Sequence, residues 1–492
     1  MGGIGTWARA APDATALVHG RSAVTFGDLE ERSRHAAGAL LAGGVERGDR
    51  VAVLSSNRNE VIEIASAALR AGIVPVPINA LLTSREIGYL LEDSGARWLF
   101  TDRTVDVVGV DQVVTFGDAY ERLLHGARPA PLEDVVLGRP MHYTSGTTGV
   151  PKGVWVEPHS AARAARLSED FRSLWDLRAD DLHLVCSPLA HSAPLRFSIR
   201  TLEAGGTVVV QTKFDPAETL AAMELFGITS TFMVPTHLER ILALGDTGIR
   251  RHDLSSMRML AHAGAPIRAE TKRATIDLSP PGSVWEFYGS TEGQATRISS
   301  EEWVRKPGSV GRALRGAEIL ITTEEGEEVP RGDVGQVWIR DEGGERFSYW
   351  GDDAKTASAW RDGAFSVGDL GWLDEDDYLY LTGRMHDTII SGGVNVYPQE
   401  VESVLTSHPA VLEAMVFGAP HPEWGQQVSA RVVPMPGAPL DPERLRDWAR
   451  ARLAGYKCPR HIELVAELPR TPTGKIKRPP VLYPPEPPPT GV

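Results

Sequence analysis

Apolar runs of strand length alternate with amphipathic stretches of helix length through the first half of the chain, and this alternation constrains the fold more than any other feature. Val51–Leu54, Val74–Ile78, Trp98–Thr101, Leu182–Cys186 and Thr207–Gln211 read as strands, with helical stretches between them. Such alternation implies α/β layers with mostly parallel sheets. Between Ile319 and Arg340 the pattern changes to short strands broken by Glu324-Glu325-Gly326-Glu327-Glu328 and Arg331-Gly332-Asp333, as antiparallel hairpins in a small β-rich subdomain require. The C-terminal stretch reads as a separate α+β unit. A helix starts at Pro398, a strand covers Val411–Phe417, and a further helix takes Asp441 as N-cap and Pro442 in its first turn, closing at Gly455.

At 492 residues and 42% hydrophobic content the chain exceeds the size at which one core stops growing, so two or more domains are expected. A formal charge of −14, with no basic stripe, argues against a general nucleic-acid binder. Cys186 and Cys458 are too few and too far apart for a disulfide framework or metal site, and read as packing residues in a reducing compartment. Met1–Arg9 lacks the basic start and apolar run of a secretory signal, and no run reaches about 18 apolar residues. A cytoplasmic protein without a membrane span is expected. The Pro-rich tail 479–492 should be disordered.

Tyr143-Thr-Ser-Gly-Thr-Thr-Gly-Val-Pro-Lys-Gly153 joins a phosphate cradle to a single lysine. Gly146, Gly149 and Gly153 let backbone N–H groups approach an anion, Ser145, Thr147 and Thr148 add hydroxyl donors, and Lys152 adds a point charge. This is not a Walker A loop, because Val150 and Pro151 intervene before the lysine and Gly153 replaces the hydroxyl residue after it. An ordinary Gly/Thr surface loop would have a similar composition, so other segments must decide.

Four segments do so: Tyr288-Gly-Ser-Thr-Glu-Gly293, Val367-Gly-Asp-Leu-Gly371, Gly383-Arg-Met-His-Asp387 and Pro472-Thr-Gly-Lys-Ile-Lys477. Together with the loop, in this order and over nearly the whole chain, they resemble the adenylate-forming superfamily of acyl-CoA synthetases, peptide-synthetase adenylation domains and luciferases. The resemblance implies a large N-terminal domain of two stacked α/β subdomains plus a small β-barrel-like subdomain (1–382), a hinge (383–387) and a small mobile α+β lid (388–478). It also implies ATP, Mg²⁺ and coenzyme A as cofactors.

By the same resemblance, Thr144, Ser145, Gly146, Thr147, Thr148, Gly149 and Lys152 hold the ATP phosphates, with Gly264, Ala265, Pro266, Tyr288, Gly289 and Ser290 also around the nucleotide. Thr291 touches the α-phosphate and Glu292 carries Mg²⁺; a carboxylate beside three phosphates makes sense only with a metal between them. Asp369 accepts from both ribose hydroxyls, with Arg384 close by. Asp387 falls at the hinge, and Lys475 is the catalytic lysine of the first half-reaction. Tyr288 lies along the adenine or, as an aromatic in a Trp-x-Phe-Tyr run, belongs to the core.

The resemblance places the acid among His191, Ser192, Val234, Thr236, Gly264 and Gly289, where Ala190 departs from the bulky aromatic usually preceding the histidine. Arg196 and Arg200, at helical spacing, meet a polar acid or face solvent. The segment Ser391–Asn395 matches the CoA tunnel, with Gly392 and Gly393 letting a pantetheine arm pass close to backbone. The expected activity is ATP-dependent acid:CoA ligation on a hydrophobic or aromatic acid larger than acetate. Two alternatives keep adenylation and change the acceptor, to a carrier protein or to a nitrogen nucleophile such as nitrite. A homodimer stays open.

Overall fold

The helix Asn59–Arg70 is buried along all but one of its positions, which a helix covering one side of one sheet cannot be. It belongs to a helical layer shared by two sheets. Leu29 and Leu40 from Phe26–Ala42, Ile62 and Leu69 from Asn59–Arg70, and Leu195 and Ile199 from Ser192–Ala204 enter one core. That core also takes Leu17 and Val208 from one sheet and Val51, Val53 and Phe100 from the other. Each such side chain contributes about 1.5–3 kcal/mol on burial, so the shared layer holds both sheets in place.

The computed structural model describes residues 2–105, 109–144, 151–341, 343–391, 394–421, 425–470 and 476–479. The chain forms two compact units, Met1–Pro307 with Gly343–Ser358, and Gly308–Glu342 with Ala359–Val492.

In the first unit, the smaller of the two sheets is parallel throughout, in the order Val74–Ile78, Arg50–Leu54, Trp98–Thr101, Gln112–Thr115. Pro75 and Pro77 sit on its edge strand, where a missing N–H costs no ladder bond. The larger sheet runs Val284–Gly289, Met259–His262, Ser230–Met233, Leu182–Val185, Thr207–Val210, Thr15–His19, all parallel. Antiparallel hairpins extend it through Gln294–Ser299 at one end and Ser22–Thr25 at the other. Thr25, Thr83 and Ser299 each close a capping box on the helix that follows, worth about 1 kcal/mol apiece. A three-stranded antiparallel sheet joins Ser348–Tyr349, Lys152–Trp155 and His142–Thr144.

In the second unit, Ala317–Thr322 pairs antiparallel with Gly335–Asp341, and Asp369–Leu373 with Leu379–Arg384. Its C-terminal part is α+β. The long hairpin Val411–His421 and Gly425–Pro434 is flanked by Ile389–Ser391 and His461–Leu464, with Val401, Leu405, Val416, Val432 and Leu445 in its core.

The fold class is the one the sequence predicts, and each of the five N-terminal strands lies within one residue of its expected bounds. Two C-terminal expectations need correction. The helix capped by the Asp441 side chain spans Pro442–Arg450 and stops at an Ala451 C-cap, so Gly455 opens a separate turn, Gly455–Lys457, instead of closing the helix. The strand from Val411 continues four residues past Phe417, because pairing with Gly425–Pro434 carries Gly418 and Pro420 into the ladder despite their low strand propensity. No helix among the described residues is long and apolar enough to cross a membrane. Cys186 and Cys458 are free and buried.

Candidate active site

Four neighbouring parallel strands deliver most of the expected site residues of the first unit to one sheet edge. Leu182–Val185 leads to His191 and Ser192, Ser230–Met233 to Val234 and Thr236, Met259–His262 to Gly264–Pro266, and Val284–Gly289 to Ser290–Glu292. The carboxyl edge of a parallel sheet is where such folds bind ligands, since the loops there diverge and leave a crevice. Gly264 has φ +90°, a left-handed turn that a side chain would strain. Gly289 is required by space: a Cβ there would stand 2.8 Å from the Gln294 Cα and from the Gly293 carbonyl oxygen.

The turn after Gly289 is closed by Ser290 N–H donating to the Gly293 carbonyl at 2.8 Å and by Glu292 N–H donating to Ser290 Oγ at 3.2 Å. This turn places Glu292 in the interior, 6% exposed, where Tyr349 Oη donates to Oε1 at 2.9 Å. Arg139 Nη1 donates to the Thr291 carbonyl at 2.9 Å and Nη2 to the Glu292 carbonyl at 3.1 Å.

Across the stem of the phosphate loop, Thr144 pairs with Lys152 and Tyr143 with Gly153. The helix Ser84–Ser94 tethers both sides of that stem: Tyr143 Oη donates to Asp93 Oδ2 at 2.7 Å, and Tyr89 Oη lies 3.1 Å from the Pro151 carbonyl and 3.2 Å from Asp93 Oδ1. Lys152 Nζ stands 3.2 Å from Asp352 Oδ2. The Lys355 ammonium lies 4.6 Å from the centre of the Tyr349 ring; burial lowers its pKa against the opposing pull of Glu292 and Asp352.

His142, one residue before Tyr143, is buried and pushed down to about 3 by burial, then by the neighbouring His191 and Arg139. It is therefore neutral beside the histidine expected at the acid pocket. Val234 packs against an aromatic-rich cluster that includes Phe171, Trp175, Phe197, Phe232 and Phe287. Arg200 does not face solvent: it is 8% exposed and paired to Glu203 at 2.5 Å. Arg196 stacks over Phe171 at 4.8 Å, and burial lowers its pKa to about 10.

In the second unit, Asp369 and Arg384 are partners directly across an antiparallel pair of strands, with Arg384 Nε 3.0 Å from Asp369 Oδ1. Asp387 Oδ2 is 3.1 Å from Arg478 Nη1. Ser145, Gly146, Thr147, Thr148, Gly149, Gly392, Gly393 and Lys475 lie outside the described residues.

Sequence reasoning missed Tyr349, Arg139, Asp93, Asp352 and Lys355. None belongs to the quoted motifs, although the spacing of Tyr349, Asp352 and Lys355 along one segment is a signal in retrospect. No group of three or more His, Cys, Asp or Glu arranged for a metal occurs among the described residues. A cation at Glu292 would thus complete its oxygen shell with phosphate and water, which suits Mg²⁺.

The AMP-binding enzyme family model matches residues 5–346, and the model of the AMP-binding enzyme C-terminal domain matches residues 400–475. The chain belongs to the AMP-binding enzyme family. Its relatives include a feruloyl-CoA synthase of Amycolatopsis sp, 36% identical over 488 residues and covering 96% of this chain and 97% of that protein. A fatty acid–[acyl-carrier-protein] ligase of Streptomyces coeruleorubidus is 33% identical over 483 residues, covering 94% of this chain and 91% of that protein. Among solved structures, the o-succinylbenzoate CoA synthetase of Bacillus subtilis with its acyl-adenylate intermediate superposes with a TM-score of 0.85 at 29% identity, covering 96% of each chain. The same enzyme with ATP and magnesium ion gives 0.84 at 29%, covering 96% of this chain and 97% of that one. This AMP-binding enzyme is thus an adenylate-forming ligase in fold and family.

Proposed function

We propose that this AMP-binding enzyme is an ATP-dependent acid:CoA ligase acting on a hydrophobic or aromatic carboxylic acid. The observation that carries the reading is that four neighbouring strands end in the turns bearing buried Glu292, Gly264, Val234 and His191, with Val234 packed on an aromatic-rich cluster. The feruloyl-CoA and o-succinylbenzoate relatives support an aromatic acid and CoA.

In the first step a carboxylate oxygen of the acid attacks the α-phosphorus of ATP. The new P–O bond forms as the bond to pyrophosphate breaks, giving an acyl-adenylate. Little covalent work falls to the protein, so catalysis is positioning and charge compensation. We assign Thr144 and Lys152, with the hydroxyls and backbone of 145–149, to the β and γ phosphates, and Thr291 to the α-phosphate. Lys475 would meet the charge growing between α-phosphate and carboxylate. Asp369 takes the ribose hydroxyls while Arg384 holds its other side, and Tyr288 lies along the adenine. Glu292 would hold Mg²⁺, which when bound neutralises charge between the phosphates. His191, Ser192, Val234, Thr236, Gly264 and Gly289 would line the acid's place. In the second step the CoA thiolate attacks the acyl carbon, the C–O bond to AMP breaks, and AMP leaves. Gly392 and Gly393 would flank the pantetheine arm, and 383–387 would be the hinge on which a lid of 388–478 turns between the steps. A cytoplasmic site of action fits an enzyme using ATP and CoA.

A second reading, transfer of the acyl group to a carrier protein, is favoured by the acyl-carrier-protein ligase among the relatives. Incubation with ATP, Mg²⁺ and a panel of aliphatic, aryl and polycyclic acids, with and without CoA, separates the two by mass spectrometry. Acyl-CoA with AMP is the expected result. An acyl-adenylate that persists despite CoA would support the carrier or a nitrogen nucleophile, and turnover of acetate above aryl acids would overturn the substrate class.

A further inference from the structure

We propose that Arg139 is a positioning residue for the metal and phosphate end of the site, holding the Thr291–Glu292 backbone so that Glu292 keeps its orientation, with Glu345 fixing the arginine in turn. The proposal rests on the reading that Glu292 serves a metal-bound triphosphate.

The geometry starts from a weakness of the turn. Ser290 and Gly293 close it internally, but the carbonyls of Thr291 and Glu292 lie beyond the strand ladder, whose last pair is Gly289 with Gln294. A turn held only at its stem can rock, and a carboxylate on it would sample several directions. Arg139 reaches this turn from a segment 152 residues earlier and takes both carbonyls with its two terminal nitrogens, at 2.9 and 3.1 Å. A planar guanidinium fixes two acceptors at once, whereas an ammonium offers no such fork.

The arginine is itself held. Its Nε faces Glu345 Oε2 at 3.6 Å, and Glu345 Oε1 lies 2.7 Å from His159 Nε2. Burial alone would raise the Glu345 carboxyl, but Arg139, His159 and Arg196 hold it well below the usual carboxylate range, so it carries charge at neutral pH. Arg163 donates to the Gly344 carbonyl at 2.6 Å, and Ser348 and Tyr349 pair with Trp155 and Val154. The segment that locks Arg139 through Glu345 therefore also supplies, four residues later, the Tyr349 hydroxyl that holds the Glu292 side chain. Glu292 is gripped by its backbone through Arg139 and by its carboxylate through Tyr349, and the segment 345–349 anchors the first and bears the second.

The test uses the full-length protein, R139K, which keeps the charge facing Glu345 and loses the fork, and E345Q, which keeps the fork and frees its anchor. Calorimetry measures binding of ATP with Mg²⁺ and of AMP in EDTA, alongside thermal melting. R139K should bind Mg·ATP about tenfold more weakly and require several-fold more Mg²⁺, while AMP in EDTA, which has only the α-phosphate at Thr291 and no metal at Glu292, loses about threefold. E345Q should lose about threefold with the same selectivity, and it carries the test alone if R139K does not fold. Equal losses of Mg·ATP and AMP binding would mean a structural role, and no loss would mean no role; either overturns the proposal. Failure of the wild type to bind Mg·ATP would instead defeat the reading of the site, and the proposal with it.

Discussion

Glu292 and Asp369 are both nearly buried carboxylates assigned to the nucleotide, yet they are held in opposite ways. Asp369 meets Arg384 fifteen residues on, directly across one antiparallel pair. Glu292 depends on Tyr349, 57 residues away, and on Arg139, which holds its carbonyl from a separation of 153 residues. The first arrangement is local and would survive in any chain that makes the hairpin. The second exists only when the whole first unit is folded, so it ties the phosphate chemistry to tertiary packing. The difference is that Asp369 is held by strand register within its own unit, and Glu292 by long-range polar contacts within its own.

The largest effects should separate these two carboxylates. Glu292→Gln should lower acyl-adenylate formation about 10³-fold, because the charged oxygen proposed to hold Mg²⁺ is lost, while AMP binding in EDTA stays near wild type. Asp369→Asn should weaken AMP and ATP alike, by about 10–100-fold, with little change in Mg²⁺ requirement. Pyrophosphate exchange and calorimetry read both, and a Glu292→Gln that loses AMP affinity in parallel would erase the distinction. Tyr349→Phe is the finer probe. Removing a hydroxyl that donates to a buried carboxylate costs about 1.5 kcal/mol, or roughly tenfold in Mg·ATP affinity, without moving AMP.

The same contrast explains what was legible in the sequence. Apolar runs such as Val74–Ile78 and Trp98–Thr101 are strands because local pattern and burial agree, and the motif around Tyr288–Gly293 lands on a strand end because a tight turn needs Gly289 there. The helix end at Arg450 was not legible, because nothing local marks an Ala451 C-cap while Gly455 advertises one. In the site, Asp369 and Arg384 were both singled out by the sequence, and the structure pairs them across one ladder. Arg139, Asp93 and Tyr349 were not, since each acts through a partner at least 50 residues away that no motif spacing encodes.

A pH effect of middle size belongs to the unit that holds Glu292. His142 is held down to about 3, and His183 and His237 to about 4, in each case first by burial. In the unfolded chain these rings titrate near about 6.5. Depressed folded values mean that their contribution to stability is complete above about pH 6.5 and is lost as pH falls toward 4 and 3, where the unfolded state binds more protons. His142→Gln should remove one such proton, flattening the fall of unfolding free energy by up to about 1.4 kcal/mol per pH unit between pH 6 and 4. Urea unfolding at several pH values checks this, and an unchanged slope would show that His142 does not stay neutral in the fold.

The smallest expected effect concerns Lys152, which links strand register to the segment bearing Tyr349. Its ammonium lies 3.2 Å from Asp352, whose other oxygen, Oδ1, accepts the Lys355 N–H at 3.0 Å. If Lys152 serves the leaving pyrophosphate, Asp352 competes with phosphate for the same cation, and the ion pair must loosen as ATP arrives. Both groups are partly exposed, so the competition is screened and weak. Asp352→Asn should therefore tighten ATP about two- to threefold, and less at high salt, while AMP, which has no β or γ phosphate, is unaffected. Tighter AMP binding in the variant would place the effect outside the phosphate contacts, and weaker ATP binding would mean that Asp352 orients Lys152 toward the nucleotide instead of competing for it.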